Sequence, residues 1–154
     1  MTFEELSEQL SGKWMGEYLL WLNPTQPSVK CNSTSSIQKV VMDRYMKIDY
    51  AWEYDGKKQE GLLIFRYNEK KKKILMTWID SWHQPDFMLC EGSIDSDNKI
   101  SAKGSYEALE GPNWEWRTKI IPKSSDAFTF EMYNILPDGT EALAVQVEYK
   151  RNIT

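Results

Sequence analysis

The sequence predicts an all-β protein, a closed antiparallel up-and-down barrel of about ten strands with a short helix capping one end. Three observations carry this. Aromatic side chains, which favour strands, make up 13% of 154 residues, with 7 Trp and 8 Tyr. Apolar and polar residues alternate through most of the chain after Gly12. The breaks between these runs hold turn residues such as Asp55-Gly56 and Pro137-Asp138-Gly139, with no helical segment among them. A meander of this length removes its unpaired edges by closing on itself.

One domain over residues 1–154 is expected, since 41% hydrophobic content supports a single core and no linker or repeat divides the chain. Thr2-Phe3-Glu4-Glu5 reads as a capping box that opens a helix running to Leu10, with Phe3, Leu6 and Leu10 on one face. Ser11-Gly12 ends it. The strands are expected near Lys13–Leu22, Val29–Val41, Arg44–Tyr54, Lys58–Asn68, Lys73–Ser81, Phe87–Asp95, Lys99–Leu109, Trp114–Ile121, Ala127–Leu136 and Glu141–Arg151. An interior of eight or more strands is wide enough that side chains need not fill it, and small ligands sit in such spaces.

The fifth strand is apolar on both faces. Ile74, Met76, Trp78 and Asp80 share one, and Leu75, Thr77, Ile79 and Ser81 the other. If the first face points inward, Asp80 is a polar group at the rim of an apolar cavity, able to orient a ligand beside Trp78. The third strand places Met46, Ile48, Tyr50 and Trp52 together, so Tyr50 and Trp52 are candidate wall residues. In the eighth, Trp114, Trp116, Thr118 and Ile120 oppose Glu115, Arg117 and Lys119. Were the Trp-rich face covered from outside, Arg117 would point inward and could hold a carboxylate bidentately. Alternation puts Glu131 outside, and His83, the sole histidine, is expected as a solvated loop residue.

Several functions are excluded. A net charge of −4 and a pI of about 5.1 argue against binding to nucleic acid or an anionic membrane. The Lys70–Lys73 run reads as a solvated hairpin turn. The acidic start, Met1 to Leu6, reads as neither secretory signal nor membrane anchor. Cys31 and Cys90 match no metal or disulfide spacing, so a cytoplasmic location is expected. No phosphate loop or metal-ligand cluster is present, and no metal or cofactor is expected. Ser81, His83 and Asp86 in one loop do not make a catalytic triad.

Gly12-Lys13-Trp14, at the junction of helix and first strand, resembles the Gly-x-Trp signature of the calycins, the lipocalins and fatty-acid-binding proteins among them. The resemblance implies that Trp14 packs against a basic residue of the last strand across the closed end, and Arg151 is placed to be that residue. A closer resemblance covers most of the chain. Lys13-Trp14-Met15-Gly16-Glu17, Gly61-Leu62-Leu63, Thr77-Trp78-Ile79-Asp80-Ser81, Thr129-Phe130-Glu131-Met132-Tyr133 and the Tyr149…Arg151 ending are similar to a bacterial family known only as a domain of unknown function with a calycin-like barrel. That implies the fold and no activity. Fatty-acid-binding proteins hold a carboxylate with an interior Arg and Tyr, but the order is reversed in Tyr149…Arg151, so the role is not carried over. Some barrels of related shape bind haem through a late His. No His follows Ala127 here, which leaves only Met132, Cys90 or Tyr149 as iron ligands.

The expected function is therefore non-enzymatic binding of a small, largely apolar or amphipathic molecule inside the barrel. Trp14, Tyr50, Trp52, Trp78, Asp80, Arg117 and Tyr149 are the candidate ligand-binding residues. Two alternatives stand beside it. One is an enzyme using Asp80, Glu91 or Glu131 as a cavity base. The other is a filled barrel acting through its surface, as a homodimer.

Overall fold

The structure, a computed structural model, describes residues 1–153; Thr154, the last residue of the expected domain, lies outside them. Helix α1 spans Phe3–Leu10 and is followed by ten strands: β1 Gly12–Leu20, β2 Val29–Val40, β3 Tyr45–Tyr54, β4 Lys57–Asn68, β5 Lys73–Asp80, β6 Gln84–Ile94, β7 Ile100–Tyr106, β8 Trp114–Ser124, β9 Ala127–Ile135 and β10 Glu141–Arg151. Each pairs antiparallel with its neighbours in sequence, and β1 pairs with β10, closing the barrel. The expected fold is the observed one.

Alternation decides what lies inside. On β3 the inward set is Met46, Ile48, Tyr50 and Trp52; on β5 it is Ile74, Met76, Trp78 and Asp80. Trp116, Thr118 and Ile120 point inward from β8, and Phe128, Phe130 and Met132 from β9. The second apolar face of β5, Leu75, Thr77 and Ile79, lies half-buried on the outer wall beside Leu62 and Ile64 of β4. No second layer covers it among the described residues. The both-face pattern therefore marks a barrel wall.

One end is sealed by α1. Thr2 and Glu5 form the expected capping box, and Leu6 and Leu10 are buried. Trp14 Nε1 donates to the Leu10 carbonyl at 2.9 Å. The Arg151 guanidinium lies 4.3 Å from the centre of the Trp14 ring. It also donates to the carbonyls of Gln9, Ser11 and Ser125, so one fork ties the helix end and the β8–β9 turn to the last strand. Gly12 adopts φ +133, and a Cβ there would stand 2.6 Å from Arg151 Nη1.

The opposite end is less regular. β6 pairs with β7 only from Glu91 to Ile94, so Gln84 and Met88–Cys90 pair with β5 alone. A register shift between Trp78 and Asp80 turns the chain sharply at the end of β5.

Candidate functional site

At that far end β3, β5 and the β5–β6 turn converge on a single carboxylate. Asp80 is 3% exposed. Its Oδ1 accepts hydrogen bonds from the backbone N–H groups of Trp82 and His83, at 2.8 and 2.9 Å. Its Oδ2 accepts from the Tyr50 hydroxyl at 2.5 Å, and Tyr50 in turn accepts from Trp78 Nε1 at 2.9 Å. Burial and the neighbouring Asp80 charge push the Tyr50 hydroxyl well above its ordinary pKa, so it stays a donor. Gly61 makes this possible. It lies opposite both Tyr50 and Asp80, and a Cβ would stand 2.0 Å from the Tyr50 ring.

By fixing the β5–β6 turn, Asp80 brings the half-buried His83 over the barrel mouth, with the exposed Trp82 ring packed on its outer side. The His83 ring is then surrounded by indoles, with centroids at 5.4 Å from Trp52, 5.5 Å from Trp78, 4.9 Å from Trp82 and 5.6 Å from Trp116. Its Nε2 meets the Tyr18 hydroxyl at 3.2 Å, and Tyr18 stacks on Trp52 at 4.6 Å. Burial lowers the His83 pKa while the Asp80 charge opposes it, leaving the imidazole neutral at pH 7.

Beside this cage lies a cavity of about 230 Å³. Trp78 and Trp116, stacked at 5.1 Å with planes 8° apart, form part of its wall. Leu20, Met88 and Ala144 add apolar surface, and Gln84, Tyr106 and Asn134 supply polar groups. The Tyr106 hydroxyl donates to Asn134 Oδ1 at 2.5 Å. A wider groove of about 1820 Å³ includes Met1, Met42, Arg66, Lys70 and Glu115. Exposed charges are scattered along it with no convergent polar group, so the smaller cavity is the candidate site.

Of the seven expected site residues, Tyr50, Trp52, Trp78 and Asp80 come together at the mouth. Trp78 lines the cavity, whereas Asp80 stands behind the wall with both oxygens taken by protein donors. Trp14 and Tyr149 belong to the sealed half. Trp14 packs under α1 against Phe128, and the Tyr149 hydroxyl meets Ser33 Oγ at 2.7 Å. Arg117 needs correction. It lies on the outer face, bonded to Glu141 and Ser101, because its neighbours Trp116 and Thr118 point inward.

His83 also departs from expectation, since it is caged rather than solvated. The pairing of Asp80 with a turn two residues later was the available signal. Trp116, Tyr106 and Asn134 were missed as site residues, and only register brings them together. Glu91 and Glu131 lie outside the barrel, held by Lys73 and by Gln146 and Tyr133 respectively.

Fold and site together define a ten-stranded closed barrel with an aromatic, uncharged cavity at its open end. Residues 5–151 match the model of a family described as "Protein of unknown function (DUF1579)", and the chain belongs to that family. Among solved structures, it is similar to the crystal structure of Rv2717c from M. tuberculosis, with a TM-score of 0.64 at 11% identity over 99% of each chain, a likeness of fold alone. A search of curated proteins gives no match. No helix among the described residues is long and apolar enough to cross a membrane.

Proposed function

We propose that this protein is a calycin-like barrel that binds a small, largely apolar molecule in the cavity at its open end. The observation that carries the reading is the cavity itself: about 230 Å³ of space bounded by Trp78, Trp116, Met88 and Leu20 in a barrel whose other end is sealed. Interiors close-pack wherever packing alone is selected, so a cleft walled by large aromatics with few polar groups is a binding geometry. Binding without turnover is favoured over catalysis. Glu91 and Glu131 lie outside, and the buried carboxylate of Asp80 already accepts three hydrogen bonds. The free thiols of Cys31 and Cys90 are in keeping with a reducing, cytoplasmic setting.

Native mass spectrometry of protein purified from its own cells tests this, with Ala144→Leu as the cavity-filling control. An added mass that is lost on denaturation and missing from Ala144→Leu is expected. A clean mass for the wild type, and no thermal stabilisation on adding a cell extract of small molecules, would sink the reading.

A further inference from the structure

We infer that the ligand of this cavity is an uncharged, planar aromatic molecule with one hydrogen-bond acceptor, seated against the Trp78–Trp116 pair and held through Asn134 Nδ2. The inference rests on the binding function proposed above and names the chemistry of its ligand.

Charge comes first. Every residue lining the cavity is uncharged at neutral pH. Asp80 is the only charged side chain that is fully buried among the described residues, and it is not part of the lining. A ligand carboxylate would find no cation, because Arg117 is outside and paired with Glu141. Burying an unpaired charge costs on the order of the whole binding energy of a small ligand. A fatty-acid-like anion is therefore a poor fit.

The free polar groups then choose between acceptor and donor. Tyr106 occupies the carbonyl oxygen of the half-buried Asn134 amide, which leaves its NH₂ open to a ligand. Trp116 Nε1 and Gln84 Nε2, both from residues of the same wall, are buried and unpartnered. Two buried N–H donors lack acceptors, the Asn134 NH₂ lies beside them in the same wall, and no free carboxylate faces them. A ligand oxygen relieves this; an ammonium group, itself only a donor, would not.

Shape follows from the wall. Two stacked, nearly parallel indoles leave the outer face of the pair and its edges for a ligand, which favours a flat π-system in offset stacking or edge contact. At roughly 30 Å³ for each water-sized group, the cavity holds about eight such groups, the scale of a one- or two-ring aromatic molecule.

Isothermal titration calorimetry of the full chain with four probes tests the inference: 1-indanone, its near-isostere indene without the carbonyl, decanoate and decylammonium. We expect 1-indanone to bind at least tenfold more tightly than each of the others. Asn134→Leu should bring 1-indanone down to the affinity of indene and leave indene unchanged. Tyr106→Phe, which frees the amide to turn, should shrink the ratio while keeping the fold, and it stands in if Asn134→Leu does not fold. Tighter binding of decanoate or decylammonium would overturn the ligand class and leave the binding function standing. So would a ketone preference that survives both substitutions. Heat from none of the four overturns the inference, and if the native mass is also clean the binding function falls with it.

Discussion

The Tyr50 hydroxyl, on β3, donates a 2.5 Å hydrogen bond to Asp80 Oδ2, two strands away on β5 across the side-chain-free Gly61 of β4. This bond joins the barrel wall to the turn that closes its mouth. Removing the acceptor strands three donors, the Tyr50 hydroxyl and the amides of Trp82 and His83. Asp80→Ala should therefore cost about 3 kcal/mol or more in urea denaturation, at roughly 1–3 kcal/mol for each buried orphan. Asp80→Asn, which can still accept from the two amides, should cost about half as much. Hydrogen exchange at Trp82 and His83 should quicken in Asp80→Ala well before global unfolding.

Gly61 should tolerate no side chain while Tyr50 is present. The Cβ of Gly61→Ala would overlap the Tyr50 ring at 2.0 Å, among strands that cannot both shift. A loss of about 2–3 kcal/mol is expected, as for other overpacked cores. In a double-mutant cycle with Tyr50→Ala, most of the Gly61→Ala penalty should vanish. Additive costs would mean that the backbone, and not the ring, sets the requirement.

Acid should weaken the fold through His83. Burial holds its folded pKa below the ordinary 6.5, with Asp80 only partly offsetting it. The unfolded chain therefore binds the proton first. Stability is full above about pH 6.5 and falls as pH drops from there towards the folded value, at up to about 1.4 kcal/mol per pH unit. As His83 is the only histidine, His83→Phe should flatten the stability profile between pH 6.5 and 5. Denaturant midpoints across that range measure it.

At the sealed end, Arg151 should not be replaceable by Lys. Its guanidinium donates to three backbone carbonyls while lying over the Trp14 ring. A lysine ammonium has neither the fork nor the planar face. Arg151→Lys should cost about 2 kcal/mol and release α1, seen as a fluorescence change at Trp14 and faster proteolysis before Gly12. Ligand binding at the far end should be unaffected.

Much of the architecture was legible from residue order, because its signals are local. Period-two alternation, the Asp55-Gly56 and Pro137-Asp138-Gly139 turns and the Thr2…Glu5 capping box each act within a few residues. Boundaries moved by a few residues where pairing outran the pattern: β8 runs on to Ser124 beside β9, and β7 stops at Tyr106. Of the site, Trp78 and Asp80 could be singled out because an acid in line with apolar neighbours is anomalous in any strand.

Which face turns inward could not be settled for Arg117, since either face of its strand is plausible until the strand is closed into a barrel. Closure puts Trp116 inside and Arg117 outside, and register sets Tyr106 and Trp116 beside Asn134 from three consecutive strands. The sequence alone determined the strands and their alternation. Only the tertiary structure decided which groups meet: a residue's cross-barrel partners depend on register and closure, and these arise from the packing of all ten strands at once.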